Sequence, residues 1–211
     1  MSKGIIFDMD GTLWDSAPQV AESWNLAMGQ CGYQRKPLTA ADIQGVMGKT
    51  MDDIARLLFA DADEEKRQEL LRTCCQMEND YLREHGGRLY PKLRETLAAL
   101  KRDYRLFIVS NCQAGYIEAF LDFYSLHDLV DDIQCYGDNG RPKADNIRII
   151  CERSRLEDAV YVGDIQGDYD ASAAAGVKFI HAGYGFGTVD ADVPEIQALE
   201  ELVELVPHVL C

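Results

Sequence analysis

The stretch GIIFDMDGTL, residues 4–13, decides the fold. Its apolar run ends in two carboxylates, Asp8 and Asp10, which are followed by Gly11 and Thr12. Such a run predicts a buried strand, and the glycine predicts a turn directly after it. Ligands of open parallel sheets bind beyond the carboxyl ends of the strands, so both carboxylates are candidate site residues. Taken alone, the block also fits an Asp-Gly turn that closes an ordinary strand.

The composition limits the classes of function. The chain has 211 residues, of which 47% are hydrophobic, and a formal net charge of -15 at pH 7. This length supports a substantial core, and the negative charge argues against nucleic acid and anionic membrane surfaces as partners. No stretch reaches membrane-spanning length, and the residues before the first predicted strand leave no room for a signal peptide. We therefore expect a cytoplasmic protein.

The seven cysteines do not have the spacing of a metal site. Cys74 and Cys75 are adjacent on a predicted helix and form no recognisable ligand pair. We expect most of the seven to be reduced and to serve as small apolar side chains.

The segment from residue 15 to residue 87 has helical patterns and no strand signal. Its first predicted helix carries an apolar stripe of Val20, Trp24, Ala27 and Cys31. Its last begins at a sequence that resembles a capping box, residues 61–64, and places Leu70, Cys74, Met77 and Tyr81 on one face. We expect an all-helical insertion, residues 15–87, within a catalytic α/β core formed by residues 1–14 and 88–211.

From residue 89 onward, predicted helices alternate with predicted strands. The strands are predicted over residues 105–109, 132–136, 159–162 and 177–180, and a closing helix is predicted over residues 193–205. This alternation is typical of an α/β protein with a doubly wound parallel sheet and right-handed crossovers. Gly183, Gly185 and Gly187 follow the last strand without the spacing of a dinucleotide site, and they predict a loop shaped close to the site.

Polar side chains follow three of the predicted strands. Asp8 and Asp10 follow the first of these strands, and Ser110 and Asn111 follow the second. Asp164 follows the third, with Asp168 just beyond. Lys143 lies in a loop before the third. Because parallel strands end at one edge of a sheet, we expect all of these residues to converge in one crevice.

In this order and spacing, the motifs resemble those of the haloacid dehalogenase superfamily. They are FDMDGTL at residues 7–13, IVSN at residues 108–111 and VGD at residues 162–164. The resemblance across these motifs covers nearly the whole chain. The helical insertion resembles the small four-helix cap domain of the phosphoglycolate phosphatase-like branch. The resemblance implies a Rossmann-like core, and the acid at Asp10, which dehalogenating relatives lack, points towards phosphoryl transfer.

The resemblance also implies roles for the residues that follow the first two strands. Asp8 would be the nucleophile that forms an aspartyl-phosphate, and Asp10 would be the general acid and then the base. Ser110 would donate a hydrogen bond to a phosphoryl oxygen. The backbone near Asn111 and Gly11, together with Thr12, would complete the phosphate-binding group. By itself, Ser110 also fits a simple helix cap.

Mg²⁺ is the cofactor that the resemblance implies, because a phosphate that approaches several carboxylates needs a cation to offset the repulsion. Its expected ligands are the Asp8 and Asp164 carboxylates and the backbone carbonyl of Asp10. Asp168 is expected to orient water or Lys143 without binding the ion itself. It fits equally well as a charge at the N-terminus of a helix.

The cation of the site is less clearly marked. Many relatives have a lysine directly before a proline, whereas this chain reads Arg141-Pro142-Lys143. We expect Lys143 to contact both phosphoryl oxygens and a carboxylate, because its ammonium is a compact point charge. Arg141 is the alternative.

Lys49 lies in a loop between predicted cap helices, where relatives place a residue that reads the substrate. It is expected either to contact the distal part of an anionic substrate or to be an exposed lysine in a turn. The function indicated is a Mg²⁺-dependent phosphatase that hydrolyses a small phosphorylated metabolite, a phosphoglycolate-like phosphomonoester, through an aspartyl-phosphate intermediate. A sugar phosphomutase of the β-phosphoglucomutase type and a catalytically silent binding protein are the alternatives.

Overall fold

The structure is a computed structural model that describes residues 2–210, so Met1 and Cys211 lie outside the described residues. The described strands are β1 Lys3–Phe7, β2 Trp14–Asp15, β3 Arg88–Leu89, β4 Arg105–Ser110, β5 Asp132–Cys135, β6 Asp158–Gly163, β7 Lys178–Ala182 and β8 Glu195–Ile196. The described helices are α1 Ala17–Gln30, α2 Ala40–Gln44, α3 Met51–Leu58, α4 Glu64–His85, α5 Leu93–Leu100, α6 Tyr116–Tyr124, α7 Tyr136–Asn139, α8 Lys143–Ser154, α9 Gln166–Ala175 and α10 Leu202–Val209.

Six of these strands form one sheet in the order β5-β4-β1-β6-β7-β8, and every pair in it is parallel. Along β1, Ile5 and Phe7 belong to one buried cluster and Ile6 belongs to a second. Because successive side chains of a strand point to opposite faces, the sheet has a buried core on each face. This explains why β1 is apolar throughout its interior, and it confirms the predicted doubly wound α/β fold.

The strand order also positions the site. From β1, the chain builds outward through β4 and β5 on one side and then through β6, β7 and β8 on the other. In open α/β sheets, the crevice at such a change of direction is where ligands bind. The carboxyl ends of β1, β4 and β6 are neighbours at this point of the sheet.

Helices α1 to α4 form the inserted segment. Strands β2 and β3 pair antiparallel, with Trp14 opposite Leu89 and Asp15 opposite Arg88, so the two ends of the insertion lie side by side. Among the described residues, those from 16 to 87 form helices and turns and contain no strand. Residues 16–87 are therefore helical as predicted, whereas Asp15, the first residue of the predicted insertion, lies in strand β2. The division into domains at residues 15 and 87 stays a prediction.

The buried face of α4 differs from the prediction. The structure buries Leu70, Leu71, Cys74, Glu78, Asn79 and Leu82, and it leaves Met77 and Tyr81 partly exposed. The buried stripe is thus rotated relative to the predicted one, and it includes a carboxylate.

The prediction of a closing helix over residues 193–205 is wrong in its first half. Residues 195 and 196 form strand β8, a 3-10 turn covers Leu199–Glu201, and α10 follows. The backbone N–H of His181 donates to the carbonyl of Pro194, and that of Gly183 donates to the carbonyl of Ile196. These bonds to the edge of β7, with the burial of Ile196, favour an extended chain where the local sequence favours a helix.

Candidate active site

Three buried carboxylates converge beyond the ends of β1 and β6. The backbone N–H of Asp8 donates to the carbonyl of Val162 over 2.9 Å, which extends the pairing of the two strands to the site. Carboxylate oxygens of Asp8, Asp164 and Asp168 all lie within 4.8 Å of one another. The structure thus brings together residues that lie 160 positions apart in the chain.

Lys143 is the cation that meets these carboxylates. Its Nζ atom lies 2.8 Å from Oδ1 of Asp8 and 2.6 Å from Oδ1 of Asp168, and all three side chains are buried. Arg141 is exposed, and its backbone N–H donates to Oδ1 of Asn139 rather than to the carboxylate cluster. The geometry therefore favours Lys143 over Arg141 as the cation of the site, and its catalytic role stays a prediction.

The charges of this cluster do not balance. Burial and the charge of Asp168 raise the pKa of Asp8 to about 7, although Lys143 lowers it. Burial, with the charges of Asp168 and Asp8, raises the pKa of Asp164 to about 8. Burial also lowers the pKa of Lys143, but the charges of Asp168 and Asp8 outweigh it and hold that pKa well above its ordinary value. Three carboxylates and one ammonium leave an excess of buried negative charge, and an all-oxygen donor set of this kind fits a hard divalent cation.

Asp168 uses both of its carboxylate oxygens within the protein. Oδ1 accepts from Lys143, and Oδ2 accepts from the backbone N–H groups of Asp164 and Ile165 over 3.0 and 3.3 Å. These bonds fix the start of α9 and hold Lys143 towards Asp8. The arrangement agrees with the predicted orienting role and also with a helix N-terminal charge.

Glycines allow the chain to close around Asp164. At Gly11, where φ is +83°, a Cβ atom would overlap the Asp164 carboxylate, and a Cβ atom at Gly185 would overlap the Asp164 side chain. The backbone N–H of Phe186 donates to Oδ2 of Asp164 over 2.7 Å. The loop that contains Gly183, Gly185 and Gly187 therefore lies against the site, as predicted.

Asp10 has different neighbours from Asp8. Its Oδ1 atom accepts from the Ser16 hydroxyl over 2.6 Å and from the Tyr116 hydroxyl over 2.7 Å. Burial raises the pKa of Asp10 to about 6, although these two hydrogen bonds lower it. A carboxyl that titrates this close to neutral pH suits acid-base chemistry. No sequence signal links Tyr116 to Asp10.

Asp8 and Asp10 share a cleft that has two walls. The core wall consists of Asp8, Asp10, Ser110, Asn111, Gln113 and Tyr116, and the cap wall of Trp24, Val46, Met51, Ile54 and Glu78. The cavity between the two walls has a volume of about 50 Å³. A space of this size admits a small chemical group and excludes a polymer.

The remaining predicted site residues are distributed unevenly. Ser110 is buried at the end of β4, and the side-chain amide of Asn111 donates to the Gly48 carbonyl of the insertion over 2.8 Å. Lys49 also lines the cleft and is exposed. Thr12 is fully buried away from the cleft, and its carbonyl accepts from Tyr184. Binding roles for Ser110, Asn111, Gly11, Thr12 and Lys49 stay predictions.

Glu78 is the charged residue of the cleft that the sequence analysis missed. It has 4% of its surface exposed, and one of its carboxylate oxygens accepts from the indole N–H of Trp24. Burial raises the pKa of Glu78 to about 7, although the Trp24 and Gln113 side chains lower it. Its spacing from Leu71, Cys74 and Leu82 is helical, so the pattern itself contained the signal for a buried carboxylate.

No helix among residues 2–210 combines the length and the apolar character that crossing a membrane requires.

Comparisons with known proteins identify the family of this chain. The family model described as haloacid dehalogenase-like hydrolase matches residues 5–182. A phosphoglycolate phosphatase of Nitrosospira multiformis is 30% identical over 219 residues, with 96% of each chain covered. A phosphoglycolate phosphatase of Escherichia coli K12 is 26% identical and covers 98% of this chain and 94% of its own.

Solved structures show the same fold. A predicted phosphoglycolate phosphatase from Haemophilus somnus superposes with a TM-score of 0.82 at 22% identity, over 97% of this chain and 98% of its own. CbbY of Rhodobacter sphaeroides, in complex with xylulose-(1,5)bisphosphate, has a TM-score of 0.77 at 19% identity, with 96% of each chain covered. The predicted enzyme class is confirmed by the family match, and this chain belongs to the haloacid dehalogenase-like hydrolase family.

Proposed function

We propose that this chain is a Mg²⁺-dependent phosphatase that hydrolyses a small phosphomonoester through an aspartyl-phosphate on Asp8. The observation that carries the proposal is the ion-paired position of Asp8, held by Lys143 beside Asp164 and Asp168 at the edge of the sheet. Relatives named phosphoglycolate phosphatases support a phosphatase that acts on a molecule of about that size.

Asp8 is oriented for attack on phosphorus. Its Oδ1 atom accepts from Lys143 over 2.8 Å and from the Tyr161 hydroxyl over 3.3 Å. No donor among the described residues bonds its other oxygen, Oδ2, which is therefore available as the nucleophile. A bond forms between Oδ2 and phosphorus while the bond from phosphorus to the alcohol oxygen breaks.

Asp10 supplies and then removes a proton. In the first step, it protonates the leaving alcohol oxygen, and in the second, it takes a proton from the water that attacks the aspartyl-phosphate. Ser16 and Tyr116 hold its Oδ1 atom, so they leave Oδ2 free for this proton transfer. The raised pKa of about 6 keeps both protonation states accessible near neutral pH.

The residues that would hold Mg²⁺ are Asp8 and Asp164 through their carboxylates and Asp10 through its backbone carbonyl. When bound, the ion would offset the repulsion between these carboxylates and the phosphate and would stabilise charge in the transition state. Asp168 and Lys143 keep the Asp8 and Asp164 carboxylates oriented. Ser110 and the backbone N–H of Asn111 would donate to phosphoryl oxygens, and both residues line the cleft with Asp8.

We also propose that the protein acts in the cytoplasm. Six cysteines among the described residues are free, and none of them forms a disulfide with another. Unpaired cysteines in this number are typical of a reducing compartment.

The test is a phosphate-release screen over small phosphomonoesters, with Mg²⁺ and with a chelator in its place. Release of free phosphate that requires Mg²⁺ is expected. A phosphomutase would instead return an isomerised sugar phosphate without net release. A binding protein would release nothing, even from an activated aryl phosphate, and either result would reject the proposal.

A further inference from the structure

A buried carboxylate on the cap wall has no part in the mechanism described above. Glu78 lies on α4, is 4% exposed and lines the same cleft as Asp8 and Asp10. The Trp24 indole N–H donates to its carboxylate, and a neutral side chain would accept from that donor equally well. A carboxylate in such a place costs stability, because burial penalises its charge.

Glu78 lines the cleft together with Asp10 and Tyr116. The charge of Asp10 contributes to the raised pKa of Glu78, and the charges of both carboxylates contribute to the raised pKa of Tyr116. The Tyr116 hydroxyl itself donates to Asp10 over 2.7 Å. The carboxylate of the cap wall and the proposed general acid therefore line one cleft, into which the alcohol protonated by Asp10 would leave.

Two amide oxygens add to the acceptors of this region. Gln113 is 8% exposed, and its Nε2 atom donates to Oδ1 of Asn79. The Asn79 amide is itself oriented by donation to the Ala114 carbonyl, so the orientation of Gln113 follows from the network. Oε1 of Gln113 and Oδ1 of Asn111 are buried and accept no hydrogen bond from any described residue. Buried acceptors without donors are costly, and a ligand that brings donors removes the cost.

The cations near the site do not offset these acceptors. Lys143 is already shared by Asp8 and Asp168. Among the described residues that line the cleft, Lys49 is the one with a positive charge, and it is exposed to water and to screening ions.

We infer that Glu78, with Gln113 and Asn111, makes this cleft selective for phosphomonoesters whose alcohol carries a hydrogen-bond donor, a hydroxyl or an ammonium group, over those that carry a carboxylate. The inference rests on the proposed function and narrows its substrate class. Glu78 acts as a specificity-determining residue, since a carboxylate on the substrate meets like charge there.

Three phosphomonoesters of two-carbon alcohols, which are nearly equal in size, test this selectivity: 2-hydroxyethyl phosphate, phosphoethanolamine and phosphoglycolate. We expect wild-type kcat/KM to be about 10-fold or more higher for the first two than for phosphoglycolate, at a pH of about 8, where Glu78 is ionised. Glu78→Gln keeps an acceptor for Trp24 and removes the charge. The ratio of phosphoethanolamine to phosphoglycolate should then fall by about 10-fold.

A matched control is Glu84→Gln, which changes an exposed carboxylate on the same helix and should leave the ratio unchanged. A wild-type preference for phosphoglycolate would overturn the inference. An equal effect of Glu78→Gln on all three esters would also overturn it, because a purely structural role predicts that result.

Binding measurements separate this inference from the proposed function. If no ester and no aryl phosphate releases phosphate, the proposed function fails. Calorimetric titration of the Asp8→Asn protein with the three esters then decides the inference independently. Tighter binding of the hydroxyl and ammonium esters supports it, and equal or tighter binding of phosphoglycolate rejects it.

Discussion

The two walls of the cleft are built on different principles. On the core wall, Asp8 follows a central strand and is held by a buried ammonium within 2.8 Å. On the cap wall, Glu78 lies on a long helix among apolar side chains, and no lysine or arginine among the described residues pairs with it. The core wall therefore has charges arranged for a reaction, whereas the cap wall has an acceptor without a cationic partner.

This difference indicates that the core wall carries out the reaction and that the cap wall selects the substrate. A sheet edge holds groups from neighbouring strands at fixed separations, which suits bond making and bond breaking. Helices of an insertion can change their contacts without moving that edge, which suits the choice of substrate. Four substitutions test the comparison, from the largest expected effect to the smallest.

Asp8→Asn should reduce kcat by about 10⁴-fold or more, because the nucleophile is lost at nearly constant shape. Phosphate release under saturating substrate measures the effect, and circular dichroism checks the fold. Asp170→Asn is the control, because Asp170 is exposed on α9 and should be replaceable without loss. Full activity of Asp8→Asn would remove the core wall from the chemistry.

Lys143→Met should destabilise the protein by about 3–5 kcal/mol, because it leaves Asp8 and Asp168 buried without their cation. Urea unfolding measures the change. Arg141→Met is the matched control and should stay within about 0.5 kcal/mol of the wild type, since Arg141 is exposed. Equal effects of the two substitutions would show that Lys143 is not the ion-pairing partner.

Asp10→Asn should lower the rate by about 10²–10⁴-fold for alkyl phosphates, whose leaving oxygen needs a proton. Formation of the intermediate from p-nitrophenyl phosphate should be affected far less, because that leaving group is stable as an anion. Burst kinetics separate formation of the intermediate from its breakdown. The same loss for both leaving groups would count against Asp10 as the acid.

Glu78→Gln should stabilise the protein at neutral pH and above. The pKa of Glu78 rises from 4.5 in the unfolded chain to about 7 in the folded protein, so the folded state binds more protons between these values. Stability of the wild type therefore falls through this pH range, by roughly 3 kcal/mol from this one group. Unfolding of the two proteins at pH values below and above the range measures the difference, which should be small at the lower pH. A gain that is independent of pH would contradict the burial of an ionised Glu78.

Sequence reasoning predicted which polar residues follow the central strands. Buried parallel strands are apolar for their whole length, so the positions of Asp8, Ser110 and Asp164 at strand ends can be read from local pattern. Their convergence then follows from the parallel sheet. The choice between Lys143 and Arg141 needed the structure, because both lie within one turn of the start of α8.

The cap wall and the last strand were harder to predict. The 3.6-residue pattern of α4 fits two faces almost equally, and which face is buried depends on α1 and α6. Strand β8 depends on pairing of Ile196 with Ala182, a contact that no local pattern shows. The bond between Tyr116 and Asp10 spans 106 residues and is equally invisible to local pattern.

The most direct test of the reaction is to trap the phosphoryl group. The Asp10→Asn protein, quenched in acid during turnover and digested, should yield the peptide that contains residue 8 with the added mass of one phosphoryl group. The adduct should be absent when Asp8→Asn is added to the same protein. A phosphoryl group on a different residue, or continued turnover with no adduct on any peptide, would contradict the account.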